Sequence, residues 1–160
     1  MNYQQYFPRD VVNGPGVRCT LFVSGCEHRC PGCYNARTWP LASGVPFTET
    51  MIEQVITDLN DPAIPRRGLT LTGGDPLHPA NVAAVEALVC RVRAECPGRD
   101  IWAWTGYVLE ALTPAQWRLV DRLDTVVDGP FIQAQASPGL SWRGSANQRV
   151  INIRMLDNAE

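Results

Sequence analysis

Strand-like runs alternate with amphipathic helical stretches along most of this chain. The strand-like runs are short and rich in β-branched, aliphatic or aromatic residues, and four of the five are followed by glycine. The predicted strands are 18–24, 68–72, 100–105, 125–128 and 149–154, and the predicted helices are 48–60, 79–95 and one that opens at Thr113-Pro114. This alternation is typical of βαβ units, so it predicts an α/β fold with a mostly parallel sheet of about five strands.

Apolar residues at helical spacing define the buried faces of the first two predicted helices. They are Ile52, Val55, Ile56 and Leu59 in 48–60, and Val82, Val85, Val89 and Val92 in 79–95. Thr50 with Glu53 three residues later matches a capping box. Thr113 followed by Pro114 matches an N-cap and a first helical residue.

The length of 160 residues is consistent with one structural unit over residues 1–160. A complete eight-fold β/α barrel needs roughly 250 residues, so the chain is too short to form one. Hydrophobic residues make up 45% of the chain and charged residues 19%, which is typical of a globular protein rather than a disordered one.

The charge balance and the amino-terminal sequence disfavour several kinds of partner. The formal net charge is −2, so no basic excess exists to bind a phosphate backbone. The first residues lack the cationic and apolar parts of a signal peptide, and no apolar run approaches the roughly 18 residues of a membrane span. We therefore expect a soluble, cytoplasmic protein without a nucleic-acid or membrane partner.

The carboxyl ends of the predicted strands carry the unusual chemistry of the sequence. A cysteine-rich loop follows the first strand, and Gly73-Gly74-Asp75 follows the second. Thr105-Gly106 and Asp128-Gly129 follow the next two strands. Because ligands gather at the carboxyl ends of parallel strands, this coincidence predicts one active site on one rim of the sheet.

Three of the six cysteines lie within eight residues, in the pattern Cys26-x3-Cys30-x2-Cys33. Three thiolates at this spacing can hold three irons of a [4Fe–4S] cluster and leave the fourth iron open. A structural zinc site with Cys19 or His28 as fourth ligand, or a set of reduced bystander thiols, are the alternatives.

We expect ordinary structural positions for His28 and for the three cysteines outside this pattern. His28 is expected to be a solvated loop residue, and Cys19 and Cys90 to be small buried residues. Cys96 is expected to end a helix.

The glycine pair after the second strand is the other candidate binding element. Glycines there allow a ligand to approach the backbone closely, and the Asp75 carboxylate could accept hydrogen bonds from an ammonium group. The alternative is an ordinary turn between a strand and a helix, in which Gly and Asp are common. His78, just beyond the turn, is expected to be a helix-entry residue.

The two segments in this order resemble the radical S-adenosylmethionine superfamily. NGPGVRCTLFVSGCEHRCPGCYN is similar to the start of a glycyl-radical-enzyme activase, and LTGGDPLHP, IWAWTGY, VDGPF and WRGSANQRV extend the similarity over nearly the whole chain. The branch that it most resembles acts on anaerobic ribonucleoside-triphosphate reductase. Two residues depart from the general superfamily pattern, since Gly32 replaces an aromatic residue and Asp75 replaces Glu.

The resemblance implies a role for nine residues. Cys26, Cys30 and Cys33 would bind the cluster, and the other six would contact S-adenosylmethionine or shape its site. The implied cofactor-binding residues are Gly32 and Tyr34 beside the adenine, Asn35 in the loop, and Gly73, Gly74 and Asp75 around the methionine amino group.

The resemblance also implies the fold, the reaction and the partners. The fold would be an open, partial (βα) barrel of the radical-SAM type. A flavodoxin-type donor would reduce the cluster, and reductive cleavage of S-adenosylmethionine would yield a 5′-deoxyadenosyl radical. That radical would take a hydrogen atom from a backbone glycine of the large reductase subunit, without a protein general base.

Two other functions stay open at this point. One is an activase of another glycyl-radical enzyme, such as pyruvate formate-lyase. The other, from a different class, is a small zinc-binding interaction module. The sequence also leaves open whether Asp128 and Asn147 contact the cofactor or close a loop, and whether Trp142 packs locally or docks a partner.

Overall fold

Seven strands form one mixed sheet in the computed structural model, which describes residues 1–156. The strands are β1 (Asn2–Asp10), β2 (Arg18–Val23), β3 (Val45–Pro46), β4 (Gly68–Gly73), β5 (Asp100–Trp104), β6 (Thr125–Asp128) and β7 (Arg149–Asn152). Their order across the sheet is β3-β1-β2-β4-β5-β6-β7. The α-helices are α1 (Glu49–Asn60), α2 (Val82–Glu95), α3 (Pro114–Val120) and α4 (Ile153–Leu156).

The centre of the sheet is parallel and its two sides are antiparallel. Strands β2, β4, β5 and β6 pair in parallel, whereas β1 pairs antiparallel with β2 and β3, and β7 pairs antiparallel with β6. The predicted α/β class is confirmed. The prediction of about five mostly parallel strands is wrong, because the sheet is mixed and has two further strands.

Strands β1 and β3 were missed for identifiable reasons. The β1 sequence NYQQYFPRD has no apolar alternation, and it contains Pro8, a residue that sheets tolerate at an unpaired edge. Pairing with β3 involves only Asn2 and Tyr3, so within residues 1–156 the rest of that side of β1 has no neighbouring strand. Within residues 1–156, no strand pairing joins β3 to β7, so the sheet is open as expected.

The two faces of the sheet differ in polarity. Leu21, Leu71 and Ala103 lie side by side on one face, where they form one core cluster with buried apolar residues of α1, α2 and α3. On the opposite face the same register aligns Thr20, Thr70 and Trp102. The hydrophobic core therefore lies between the sheet and the three helices.

The polar face is organised around a buried arginine. Arg18 is fully buried, donates to the Thr70 hydroxyl at 2.8 Å, and pairs with Asp100 at 2.6 Å. Its guanidinium lies 5.7 Å from the centre of the Trp102 ring, and Trp104 neighbours Trp102 on the same face. Both tryptophans face away from the helices, and Trp102 is buried on this side of the sheet, outside the cluster that the helices cover.

The predicted helices are present with small shifts at their ends. Thr113 and Gln116 form a capping box at the start of α3, as the predicted N-cap requires. The capping box predicted from Thr50 is wrong, since α1 begins at Glu49 after Thr48. None of the helices within residues 1–156 combines the length and hydrophobicity that a bilayer crossing requires.

The three cysteines outside the cysteine loop divide between core and surface. Cys19 on β2 and Cys96 at the end of α2 are buried. Cys90 is exposed on α2, so the expectation of a buried residue is wrong. Its position in the helix lies outside the row of valines that faces the core.

Candidate functional site

One cavity of about 170 Å³ lies at the carboxyl ends of the parallel strands. The cysteine loop after β2, the glycine pair at the end of β4, Thr105-Gly106 after β5 and Gly129 after β6 all contribute to its wall. Four successive parallel strands bring these segments to the same rim. The predicted convergence of these segments on one rim of the sheet is confirmed, and the active site stays a prediction.

The three clustered cysteines line this cavity together. Cys26, Cys30 and Cys33 are partly buried and carry free thiols. The backbone N–H of Cys33 donates to the carbonyl of Cys30 at 3.1 Å, and the N–H of Asn35 donates to the Cys33 sulfur at 3.4 Å. Three thiols facing one space fit the ligand set of an iron-sulfur cluster with one open iron.

The cysteine loop has an unusual backbone conformation. Arg29, between two of the cysteines, adopts φ 49°, which is uncommon for a residue with a side chain. Its guanidinium lies 5.9 Å from the centre of the Trp39 ring. A loop held in such a conformation by its surroundings is typical of a functional segment.

The glycine pair fits directly against the start of the cysteine loop. The N–H of Gly74 donates to the carbonyl of Val23, and the N–H of Asp75 donates to the carbonyl of Gly25, both at 2.7 Å. A Cβ at position 74 would lie 2.6 Å from the Gly25 carbonyl oxygen, so only glycine allows this approach. The turn is therefore joined to the cysteine loop as well as facing the cavity.

The Asp75 carboxylate is buried and accepts four hydrogen bonds. Its side chain is 2% exposed. One oxygen accepts from the Leu77 N–H at 2.9 Å. The other accepts from the Thr105 hydroxyl at 3.0 Å, the Gly106 N–H at 2.9 Å and the ring of His28 at 2.8 Å. The carboxylate thus connects three segments of the rim.

His28 occupies a fixed position in the site. Its side chain is 16% exposed, its Nε2 atom lies 2.8 Å from Asp75, and its ring packs edge-on at 4.4 Å from the ring of Tyr107. The expectation of a solvated loop residue is wrong. Partners 47 and more positions away in the sequence hold this ring, so no local pattern could have revealed its role.

The three remaining predicted residues, Gly32, Tyr34 and Asn35, lie at the carboxyl-terminal end of the cysteine loop. Tyr34 and Asn35 line the cavity, and Tyr34 is 84% exposed with its ring 5.6 Å from that of Phe131. Gly32 packs instead against the side chain of Gln133. A Cβ added at position 32 would lie 2.7 Å from that side chain. The structure therefore brings eight of the nine predicted residues to the cavity wall.

The connection from β6 to β7 supplies a wall that sequence reasoning missed. Phe131, Gly144 and Gln148 line the cavity from this segment. The Gln148 amide donates to the Gly129 carbonyl at 3.0 Å and accepts from the Gly144 N–H at 2.8 Å. The motif WRGSANQRV was the available signal, since it contains both Gly144 and Gln148.

The structure also places the three residues whose roles the sequence left open. Asp128 is buried, accepts from the Leu109 N–H at 2.9 Å and pairs with Arg149 at 2.5 Å, so it closes a loop. Asn147 donates to the Pro130 carbonyl at 2.7 Å. The Trp142 ring packs edge-on against the Trp102 ring, with the ring centres 6.1 Å apart, and its carbonyl accepts from the Trp104 ring N–H at 2.9 Å.

Burial sets the protonation of the thiol nearest to Asp75. Burial raises the pKa of the Cys26 thiol to about 11, and the negative charge of Asp75 acts in the same direction. Hydrogen bonds from the backbone N–H groups of His28 and Arg29 oppose this increase in pKa. A metal that binds Cys26 near neutral pH must therefore displace a proton.

A second set of metal-ligand atoms lies beside the three thiols. The ligand atoms of Cys26, His28 and Asp75 lie within 4.8 Å of one another. Of the two residues suggested as a fourth zinc ligand, His28 is at the site. Cys19 lies within the core on β2, where its sulfur contacts the Pro8 carbonyl at 3.7 Å.

A comparison with protein families defines the class. The family described as a 4Fe-4S single cluster domain matches residues 12–151 of this chain. The match includes all three clustered cysteines and every segment of the cavity wall. The chain is therefore a member of a family that carries one iron-sulfur cluster, and the zinc module is the weaker alternative.

Curated relatives narrow the class further. An anaerobic ribonucleoside-triphosphate reductase-activating protein of Escherichia coli K12 is 60% identical over 154 residues, which cover 96% of this chain and all of that protein. The protein of that name in Vibrio cholerae is 62% identical over 148 residues, which cover 92% of this chain and 96% of that protein. The protein of that name in bacteriophage T4 is 44% identical over 150 residues, which cover 94% of this chain and 93% of that protein. This chain belongs to the family of anaerobic ribonucleoside-triphosphate reductase-activating proteins.

Proposed function

We propose that this chain is a radical S-adenosylmethionine enzyme that generates a glycyl radical on the large subunit of anaerobic ribonucleoside-triphosphate reductase. The observation that carries the proposal is the shared cavity of three free thiols and the Gly73-Gly74 turn. The names of relatives that match nearly the whole chain support the choice of reductase. A small zinc module would not need a strand-end turn beside its cysteines.

The residues of the cavity divide between cluster and cofactor. Cys26, Cys30 and Cys33 would hold three irons, and the turn at Gly73-Gly74 would receive the amino group of the methionine part of S-adenosylmethionine. Asp75 would act mainly by fixing that turn, because its oxygens already accept four hydrogen bonds. The adenine would lie towards Tyr34 and Asn35, with Gly32 shaping the loop behind them.

The cluster, when bound, supplies the electron that cleaves the sulfonium of S-adenosylmethionine to methionine and a deoxyadenosyl radical. The residues of this chain bind and orient the cofactor and shield it from water. No side chain needs to act as a general base, since the substrate loses a hydrogen atom rather than a proton. A flavodoxin-type protein of the cytoplasm would serve as the electron donor.

The open sheet suits a protein substrate. We interpret the parallel strands β2, β4, β5 and β6 as a partial barrel whose open side admits a glycine-containing segment. Trp104 and Gly144 line both the candidate cavity and an adjoining groove, which Val12, Asn13 and residues 140–143 complete. The site is therefore accessible from the surface, as a macromolecular substrate requires.

Metal analysis and electron paramagnetic resonance (EPR) test this proposal. After anaerobic reconstitution, we expect about four irons and four sulfides per chain. With reductant, S-adenosylmethionine and the large reductase subunit, we expect the doublet of a glycyl radical. One zinc without sulfide, or a glycyl radical formed on pyruvate formate-lyase and absent from the reductase, would contradict it.

A further inference from the structure

Side chains connect the middle of the cysteine loop to the rest of the rim, and His28 makes the connection to the glycine turn. The backbone of the loop is held near its start, where the Cys26 N–H donates to Trp39 at 3.0 Å. Between Cys26 and Cys33 the chain forms neither helix nor strand. The His28 side chain of this irregular segment forms a hydrogen bond with the carboxylate of Asp75, the residue that follows the glycine pair.

The chemistry of the partner fixes the direction of this hydrogen bond. The same oxygen of Asp75 also receives hydrogens from the Thr105 hydroxyl and the Gly106 N–H, so it acts as an acceptor. The Nε2 atom of His28 must therefore carry the hydrogen that it donates to Asp75.

The surroundings of the His28 ring are built to hold it in one orientation. A Cβ at position 106 would lie 2.3 Å from the ring, so only glycine leaves room for it. On another side the ring packs against Tyr107. The Tyr107 hydroxyl donates to Glu27, the residue before His28, and closes the contact on the same loop. Two segments of the rim thus fix one side chain.

We infer that His28 is a positioning residue that sets the distance between the three thiols and the Gly73-Gly74 turn. The inference rests on the proposed function, because it assigns the thiols to the cluster and the turn to S-adenosylmethionine. In this role His28 ligates neither iron nor cofactor. It holds the loop against the Asp75 carboxylate, so that the open iron and the turn can bind one cofactor molecule together.

Three variants of the reconstituted enzyme test the inference. His28→Ala removes the connection, and His28→Gln keeps a side-chain N–H that can reach Asp75. His78→Ala is the matched control, because His78 is the other histidine and its ring contacts the Ala80 N–H at the entry to α2. The measurements are iron and sulfide per chain, S-adenosylmethionine titrations followed by the EPR spectrum of the reduced cluster, and steady-state formation of 5′-deoxyadenosine.

The expected result separates cluster assembly from cofactor binding. His28→Ala should retain its iron and sulfide but bind S-adenosylmethionine about ten- to one-hundred-fold more weakly, the usual range for loss of a residue that orients a metal site. KM should rise more than kcat falls. His28→Gln should recover most of the affinity, and His78→Ala should match the wild type.

Two results would overturn the inference. One is wild-type affinity for S-adenosylmethionine in His28→Ala. The other is loss of iron from His28→Ala to the extent seen in Cys33→Ala, which would make His28 a ligand instead.

A measurement on the cluster-free chain separates this inference from the proposed function. If the wild type bound no S-adenosylmethionine, the proposed function would fail, and amide hydrogen exchange over residues 26–35 would still decide the role of His28. Faster exchange in His28→Ala than in the wild type and His78→Ala supports the connection. Equal exchange in all three would overturn it.

Discussion

The helix-covered face of the sheet and the rim at the carboxyl ends of its parallel strands are held together in different ways. On the covered face, fully buried residues such as Leu21, Leu69 and Leu71 pack against α1, α2 and α3. At the rim, hydrogen bonds and close backbone contacts join irregular segments, as at Gly74 and Asp75. Apolar packing depends on volume, whereas the rim depends on particular atoms.

This difference separates stability from function in the same small molecule. The covered face can accept changes that conserve hydrophobic volume, because burial of apolar surface is non-directional. The rim has little such tolerance, since four donors converge on one carboxylate and glycines allow two backbones to meet. We therefore expect substitutions on the face to change stability and substitutions at the rim to change chemistry.

The largest effect is expected from removal of a rim thiol. Cys30→Ala should abolish both full cluster assembly and cleavage of S-adenosylmethionine, because three thiolates are needed to hold the cluster. Cys90→Ala is the control, since Cys90 is exposed on α2. Iron content and 5′-deoxyadenosine formation measure both. A Cys30→Ala protein with wild-type activity, or an inactive Cys90→Ala, would break the distinction between rim and helix cysteines.

A cavity in the covered face should change stability alone. Leu71 is fully buried, so Leu71→Ala should lower the free energy of unfolding by about 3 kcal/mol. Denaturant unfolding of the cluster-free chain measures this loss. The 5′-deoxyadenosine formed per cluster should stay unchanged in folded protein, and a loss of turnover per cluster would show that face and rim are coupled.

A methyl group at the junction of the rim should have a smaller effect on stability and a large one on cofactor binding. Gly74→Ala places a Cβ 2.6 Å from the Gly25 carbonyl, so we expect a loss of about 2 kcal/mol and weaker binding of S-adenosylmethionine. Gly139→Ala is the control, because its Cβ would meet only the Ser137 hydroxyl at 3.9 Å. Identical unfolding midpoints for the two variants would argue against the close contact.

The smallest effect is expected at the start of α3, which does not line the cavity. Thr113→Ala removes the capping box of α3, which should cost about 1 kcal/mol in the free energy of unfolding. Thr113→Ser keeps the hydroxyl and should recover most of that loss. Deoxyadenosine formation per cluster should match the wild type in both, and a deficit in either would show that α3 supports the rim.

The parts of the fold that follow from local patterns were predictable. Every apolar residue predicted for the buried sides of α1 and α2 is buried. Strand β1 was not predictable, because its half-exposed polar sequence becomes a strand only by pairing with β2. The same holds for β3, which is two residues long.

The candidate site shows the same division. Cysteine spacing and the strand-end glycines identified the loop and the turn, since both features are local in sequence. The connections that organise them are not local: Asp75 takes hydrogen bonds from His28 and Thr105, 47 and 30 positions away. The motif at 142–150 pointed to the remaining wall, but without the fold its contact with Gly129 had no sequence signal.

The central claim is that the cysteine loop and the glycine turn form one site that cleaves S-adenosylmethionine. The most direct test uses the reconstituted chain alone, with dithionite and S-adenosylmethionine under anaerobic conditions. We expect 5′-deoxyadenosine and methionine to form in equal amounts, and neither to form with Cys33→Ala. A chain with a full complement of iron and sulfide that forms no 5′-deoxyadenosine would contradict the claim.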